Sequence, residues 1–300
     1  MGMQHNWHFR AIFAAVAVLV AACDSGAPPA TGGAADGQRP RATASTAGSA
    51  GQADNSAEQG VERFERAVVA ETLPYAEVAD QLVYGHFVFP GDMVDPLPGV
   101  IVIHERWGLD DSTRNLADRL AAQGYVVLAV DLFGGKLARD NATSRTLMAA
   151  IIENPETANE NIRQAYQFLE QSGQAPQIAA LGWSFGGTWA LNTAMLLPDE
   201  LDAAVIYYGQ VTNNEEKLAP VNVPILGLFG ENDRGVTVEN VKAFEQALEN
   251  LGKDYEIEIY PGVGHAFADP GGSNYDSAAA EQAWGRVLDF LGRHLGTAAR

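Results

Sequence analysis

From residue 61 onward, short and almost wholly apolar runs alternate with longer amphipathic stretches, and this alternation limits the possible folds more than any other feature of the chain. Leu82–Phe89, Gly99–His104, Tyr125–Val130, Gln177–Gly182, Ala203–Tyr208, Ile225–Phe229 and Tyr255–Tyr260 read as strands. Three central runs carry no polar alternation, so both of their faces must be covered, as in a parallel sheet. Between the runs lie helical patterns. Ser112–Gln123 places Leu116, Leu120 and Ala121 on one face, and Thr157–Gln171 spaces Ile162, Ala165, Tyr166 and Leu169 three and four apart. Val238–Leu251 carries Val241, Phe244 and Leu248 and stops at Gly252, and a last helix spans about Ala278–Leu295. Strands alternating with helices predict an α/β fold with crossovers of one hand. No internal repeat is present.

The chain has 300 residues and a formal charge of −19. Such acidity argues against nucleic acid, whose phosphates attract Lys and Arg, and against adhesion to anionic lipid by charge. The single cysteine, Cys23, excludes an intrachain disulfide and a cysteine-based metal site. Ahead of it, Arg10 leads into the apolar run Ala11–Ala22, too short to span a bilayer but suited to a secretory signal. Val20-Ala21-Ala22-Cys23 resembles the lipobox of bacterial lipoproteins. The expected organisation is a signal peptide over 1–22, a flexible tether over 23–60 and a folded domain over 61–300. Lipidation at Cys23 would hold the protein in the cell envelope, on the periplasmic face of a membrane. Residues 24–60 are rich in Ala, Gly, Ser, Thr, Pro and Gln, a composition that cannot offset its ordering entropy. Such a tether reaches on the order of 30–40 Å.

The strand Gln177–Gly182 runs into Gly182-Trp183-Ser184-Phe185-Gly186-Gly187, a G-x-S-x-G sequence at a strand-to-helix turn. A reversal this sharp needs glycine on either side of the serine and presents its hydroxyl at the end of the sheet. A serine hydroxyl is a weak nucleophile until a base takes its proton. Asp233 follows the strand Ile225–Phe229, and His265 follows Tyr255–Tyr260. Both lie past the carboxyl ends of strands, where open α/β sheets place their sites. Ser184 is thus the candidate nucleophile, His265 the base and Asp233 the acid that orients it. Glu231 is the rival acid and His104 the rival histidine. Backbone N–H groups of Phe185 and Arg106 are the candidate oxyanion donors. Trp107, Phe133, Lys136 and Trp183 are candidate pocket residues, and Leu137–Glu153 is a candidate cap whose Asp140-Asn141-Ala142-Thr143 opening can start a helix.

His104-Glu105-Arg106-Trp107-Gly108-Leu109, Asp131-Leu132-Phe133, the nucleophile turn and Gly264-His265-Ala266-Phe267 together resemble the dienelactone hydrolase family, over about Tyr84 to Leu295. The resemblance implies a single α/β-hydrolase domain, with no metal or cofactor, acting on lactones or small esters. It also implies that Glu105 sits beside the nucleophile and helps set its protonation. Two departures matter. The family's usual nucleophile is cysteine, and the matching position here is Ser184. The arginines that clamp a carboxylate in dienelactone hydrolases proper are replaced, one by Gly134-Gly135-Lys136 and the other by a run into Asp269. A lysine lacks the bidentate fork and an aspartate repels an anion, so a neutral or cationic ester is expected. The expected activity is hydrolysis of carboxylic esters or lactones through an acyl-enzyme at Ser184. The alternatives are an acyltransferase using the same triad and a non-catalytic envelope binding protein on the same scaffold.

Overall fold

Each strand called from the sequence forms, and the sheet has one strand more. The computed structural model describes residues 66–296, all within one compact unit over 63–300. The expected signal segment over 1–22 and the whole of the expected tether over 23–60, Cys23 included, lie outside the described residues. In chain order the strands are β1 (Val68–Val78), β2 (Gln81–Pro90), β3 (Gly99–Ile103), β4 (Val126–Val130), β5 (Ile178–Trp183), β6 (Ala203–Tyr207), β7 (Ile225–Gly230) and β8 (Tyr255–Tyr260). The helices are α1 (Asp111–Ala121), α2 (Asn141–Glu153), α3 (Pro155–Gln171), α4 (Phe185–Leu196), α5 (Glu215–Leu218), α6 (Val238–Asn250) and α7 (Ser277–His294).

All eight strands join one sheet in the order β1-β2-β4-β3-β5-β6-β7-β8. From β4 to β8 every pairing is parallel, while β1 pairs with β2 and β2 with β4 antiparallel. This is the mostly parallel sheet of the α/β-hydrolase fold. Every residue of β3, β4, β5 and β6 is buried, and successive residues point to opposite faces. Ile101, Ile103, Leu128 and Ala180 pack with Ile162 and Leu169 of α3, Trp189 of α4 and Phe244 of α6. Val100, Val102, Val127 and Leu181 pack with Leu120 of α1 and Val287 and Leu291 of α7. Two layers of helices thus sandwich the sheet, which is why its strands lack polar alternation.

The caps are local and explicit. Asp110 accepts from Thr113 N at the head of α1, Asp140 from Ala142 N and Thr143 N at α2, and Asp276 from Ala279 N at α7. Thr237 and Asn240 form a capping box on α6. The order in which strands are added switches sides at β3, since β4 lies on one side of it and β5 on the other. The crevice beyond the carboxyl ends of strands at such a switch point is where ligands bind in open α/β sheets.

Candidate active site

Ser184 joins β5 to α4 with φ 52° and ψ −113°, a conformation a non-glycine residue adopts only when its surroundings force it. The forcing is steric and lies in the flanking glycines. A Cβ on Gly186 would sit 2.1 Å from the Ile103 carbonyl oxygen, and one on Gly182 would sit 2.2 Å from the Gly186 oxygen. The first turn of α4 is therefore packed backbone to backbone against the ends of β3 and β5. Ser184 N donates to Tyr207 O at 2.9 Å, and Ser184 O accepts from Thr188 N at 3.0 Å, so the turn is fixed at both ends.

The loops after β7 and β8 bring the other two side chains to this serine. Ser184 Oγ lies 2.9 Å from His265 Nε2, and His265 Nδ1 lies 2.7 Å from Asp233 Oδ2. Asp233 is buried, and burial works to raise its carboxyl pKa. The hydrogen bond from His265 and those from Val236 N and Gly235 N outweigh that and hold it below the ordinary aspartate value. An ionised Asp233 makes His265 Nδ1 the donor, which leaves Nε2 to accept from the Ser184 hydroxyl. The arrangement can deprotonate the serine as it attacks and hold the resulting imidazolium.

The two rivals are otherwise engaged. Glu231 accepts from Gly262 N at 2.8 Å and staples its loop to the turn after β8. His104 is fully buried, its Nδ1 2.6 Å from Glu105 O, and Nε2 accepts from Leu132 N at 3.1 Å. Nδ1 is then the protonated nitrogen, and burial lowers the pKa of the ring so that it stays neutral. His104 bolts the β3 end to the β4 end, where Asp131 accepts from Phe133 N at 2.8 Å and also from Gly135 N.

Phe185 N–H is the first amide of α4 and has no acceptor within its helix. Arg106 lies in the loop after β3, and its side chain turns to α2, with Nε donating to Ser144 Oγ at 2.9 Å and a terminal nitrogen donating to Asn141 Oδ1 at 2.6 Å. Its guanidinium also lies 4.6 Å over the Trp107 ring.

Glu105 stands behind the triad, with Tyr208 OH donating to its Oε1 at 3.3 Å. Burial first, and then the charge of Asp269, pushes the Glu105 carboxyl up to about 7, against the opposing pull of His265 and Tyr208. Tyr208 stands apart from the residues singled out in the sequence. Its φ is 38°, its ring is fully buried and it meets the His265 ring edge-on at 5.2 Å between centroids. Its place at the end of β6 was the available signal, since strand ends in this sheet carry site residues.

A cavity of about 690 Å³ opens on Ser184 and His265. The four pocket residues expected from sequence do not line it. Trp183 points down to stack on Tyr207, and Trp107 and Trp183 line a separate space of about 40 Å³ with Glu105 and Asp269. Phe133 is buried against His104 and Phe185, and Lys136 is exposed to solvent. Trp183, the last residue of β5, points into the layer of α1 and α7, away from α4. The lining comes instead from Phe185, Trp189 and Leu196 of α4, Met148 and Ile152 of α2, and Pro155 of α3. The segment Leu137–Glu153, expected as a cap, does supply one wall through α2.

Residues 85–295 match the dienelactone hydrolase family. A Saccharolobus solfataricus protein named "Putative carboxymethylenebutenolidase" is 29% identical over 236 residues, covering 66% of this chain and 90% of its own. Protein usf of Aquifex pyrophilus is 30% identical over 205 residues, covering 66% of this chain and 89% of its own. Among solved structures, a dienelactone hydrolase-like promiscuous phosphotriesterase from metagenomic libraries superposes with a TM-score of 0.71 at 24% identity. That match covers 77% of this chain and 100% of the other, and it shows a shared fold.

Proposed function

The chain belongs to the dienelactone hydrolase family, whose reaction is the opening of an ester bond by water, and we propose that it does this as a serine hydrolase with Ser184 as nucleophile, His265 as base and Asp233 as the orienting acid. One observation carries the reading: the continuous chain from Ser184 Oγ to His265 at 2.9 Å and on to Asp233 at 2.7 Å, set on a strained turn beside an open cavity. Ser184 Oγ attacks the ester carbonyl while its proton passes to His265 Nε2. The N–H groups of Phe185 and Arg106 receive the oxyanion, and the alcohol leaves with the proton from His265. Water then attacks the acyl carbon while His265 Nε2 takes its proton, and collapse of the tetrahedral intermediate breaks the bond to Ser184 Oγ, returns that proton to Oγ and releases the acid.

Glu105 fits a supporting part. Held largely protonated below neutral pH, it places little negative charge behind the serine. With a serine in place of the family's usual cysteine there is no thiolate for Glu105 to stabilise or protonate, and its hydrogen bond in the site is with Tyr208. Cys23 is proposed as the lipidated residue that keeps the enzyme in the cell envelope, on the strength of the segment Val20-Ala21-Ala22-Cys23.

The test is hydrolysis of para-nitrophenyl acetate by the full chain and by its Ser184→Ala variant. The variant should lose about 10⁴-fold or more in kcat, and a wild-type rate that survives the substitution contradicts the assignment.

A further inference from the structure

The cavity at Ser184 is long as well as open. Its lining residues recur along α4 from Phe185 through Trp189 and Asn192 to Leu196, one stripe of a helix at intervals of three and four. From Phe185 to Leu196 the helix rises about 16 Å, so the trough leads well away from the serine. Met148 and Ile152 of α2 and Pro155 of α3 form the opposing wall. The polar lining away from the triad is neutral, from Asn159, Thr188, Asn192 and Gln210. Among the described lining residues there is no Lys, Arg, Asp or Glu.

We propose that this trough holds an extended apolar arm of the ester, and that the enzyme selects neutral esters with a medium-length hydrocarbon chain over short or anionic ones. This rests on the reading of Ser184 as nucleophile. The trough supplies what such an arm needs: apolar surface continuous with the reacting serine, and two methionines, Met148 and Met195, whose unbranched side chains adapt to a flexible chain. It offers nothing to an anion, since a carboxylate entering it would lose its water without meeting a cation. Each methylene transferred from water into such a site is worth about a factor of four in binding.

The experiment compares kcat/KM of the full chain on para-nitrophenyl acetate, butyrate, octanoate and hemisuccinate, and on the acetate esters of ethanol and octanol. The expected result is a rise of at least tenfold from the short to the eight-carbon arm in one of the two series. The hemisuccinate should be at least tenfold poorer than the butyrate. Leu196→Trp, which fills the far end, should lower the ratio of octyl-arm to short-arm activity at least tenfold, and that ratio is read within one protein preparation. Flat or falling series with acetate still turned over would overturn the trough assignment and leave the serine reading intact. If no ester is turned over and Ser184 takes no fluorophosphonate label, both readings fall together.

Discussion

Across the cavity from the nucleophile turn stands α2, and the two walls differ in how firmly the sequence fixes them. The turn is held by backbone against backbone: Gly182, Gly186 and Gly187 leave no room for a Cβ, and Ser184 is bonded through both its N–H and its carbonyl. Helix α2 buries only Ser144 and Ile151 of its residues, and Ile152 is 67% exposed while also lining the cavity. It is held at its first turns by Arg106, through Ser144 and Asn141. In the proposed reaction the wall that carries Ser184 needs its atoms fixed to a few tenths of an ångström, since misplacement costs rate steeply. The wall proposed to meet the substrate arm needs only to exclude water, which a helix held by few buried residues can do.

The difference can be broken from either side. The largest effect is expected at Gly186→Ala, where the new methyl would overlap the Ile103 and His104 carbonyl oxygens. A loss of about 3 kcal/mol or more in urea unfolding is expected, or no folded protein at all. Glu105→Gln should have a smaller and pH-dependent effect. The folded protein binds the Glu105 proton more tightly than the unfolded chain, with the pKa raised from 4.5 to about 7. Wild-type stability is therefore lost as pH rises through that window, by at most about 3 kcal/mol, and the loss is complete above it. The glutamine variant lacks this dependence, so the gap between the two unfolding curves should change with pH between those values. Ser144→Ala, which removes one of the two bonds by which Arg106 holds α2, should cost about 1 kcal/mol and raise KM for a long-arm ester severalfold with little change in kcat. A fall in kcat as large as that at the turn would show that the two walls are not built differently.

Much of this molecule is legible in its sequence because its core strands leave no choice. β3 to β6 are wholly apolar, and their order of strand and helix admits few topologies. The serine turn is legible for the same kind of reason, since only glycine tolerates those contacts. Strand β1 is not, because Val68–Val78 carries Glu71, Pro74 and Glu77 and buries few residues. Its register shifts between Pro74 and Ala76, and it gains its partner only when β2 folds beside it. The cavity lining is also hidden. Helix α4 is apolar on nearly every side, so no periodicity marks which stripe faces the core and which the substrate. Tyr208 is similarly masked, for in the sequence it is simply the last apolar residue of a buried run.

The central claim is that Ser184 becomes covalently acylated, and intact-protein mass spectrometry after acid quench tests it most directly. Incubation with a fluorophosphonate, and with a slowly released ester, should add one adduct per chain, and digestion should locate it on the peptide containing Gly182-Trp183-Ser184-Phe185-Gly186. The Ser184→Ala protein should carry none. An adduct on another residue, or none on a folded wild-type protein, would contradict the account and turn attention to a binding role for the same cavity.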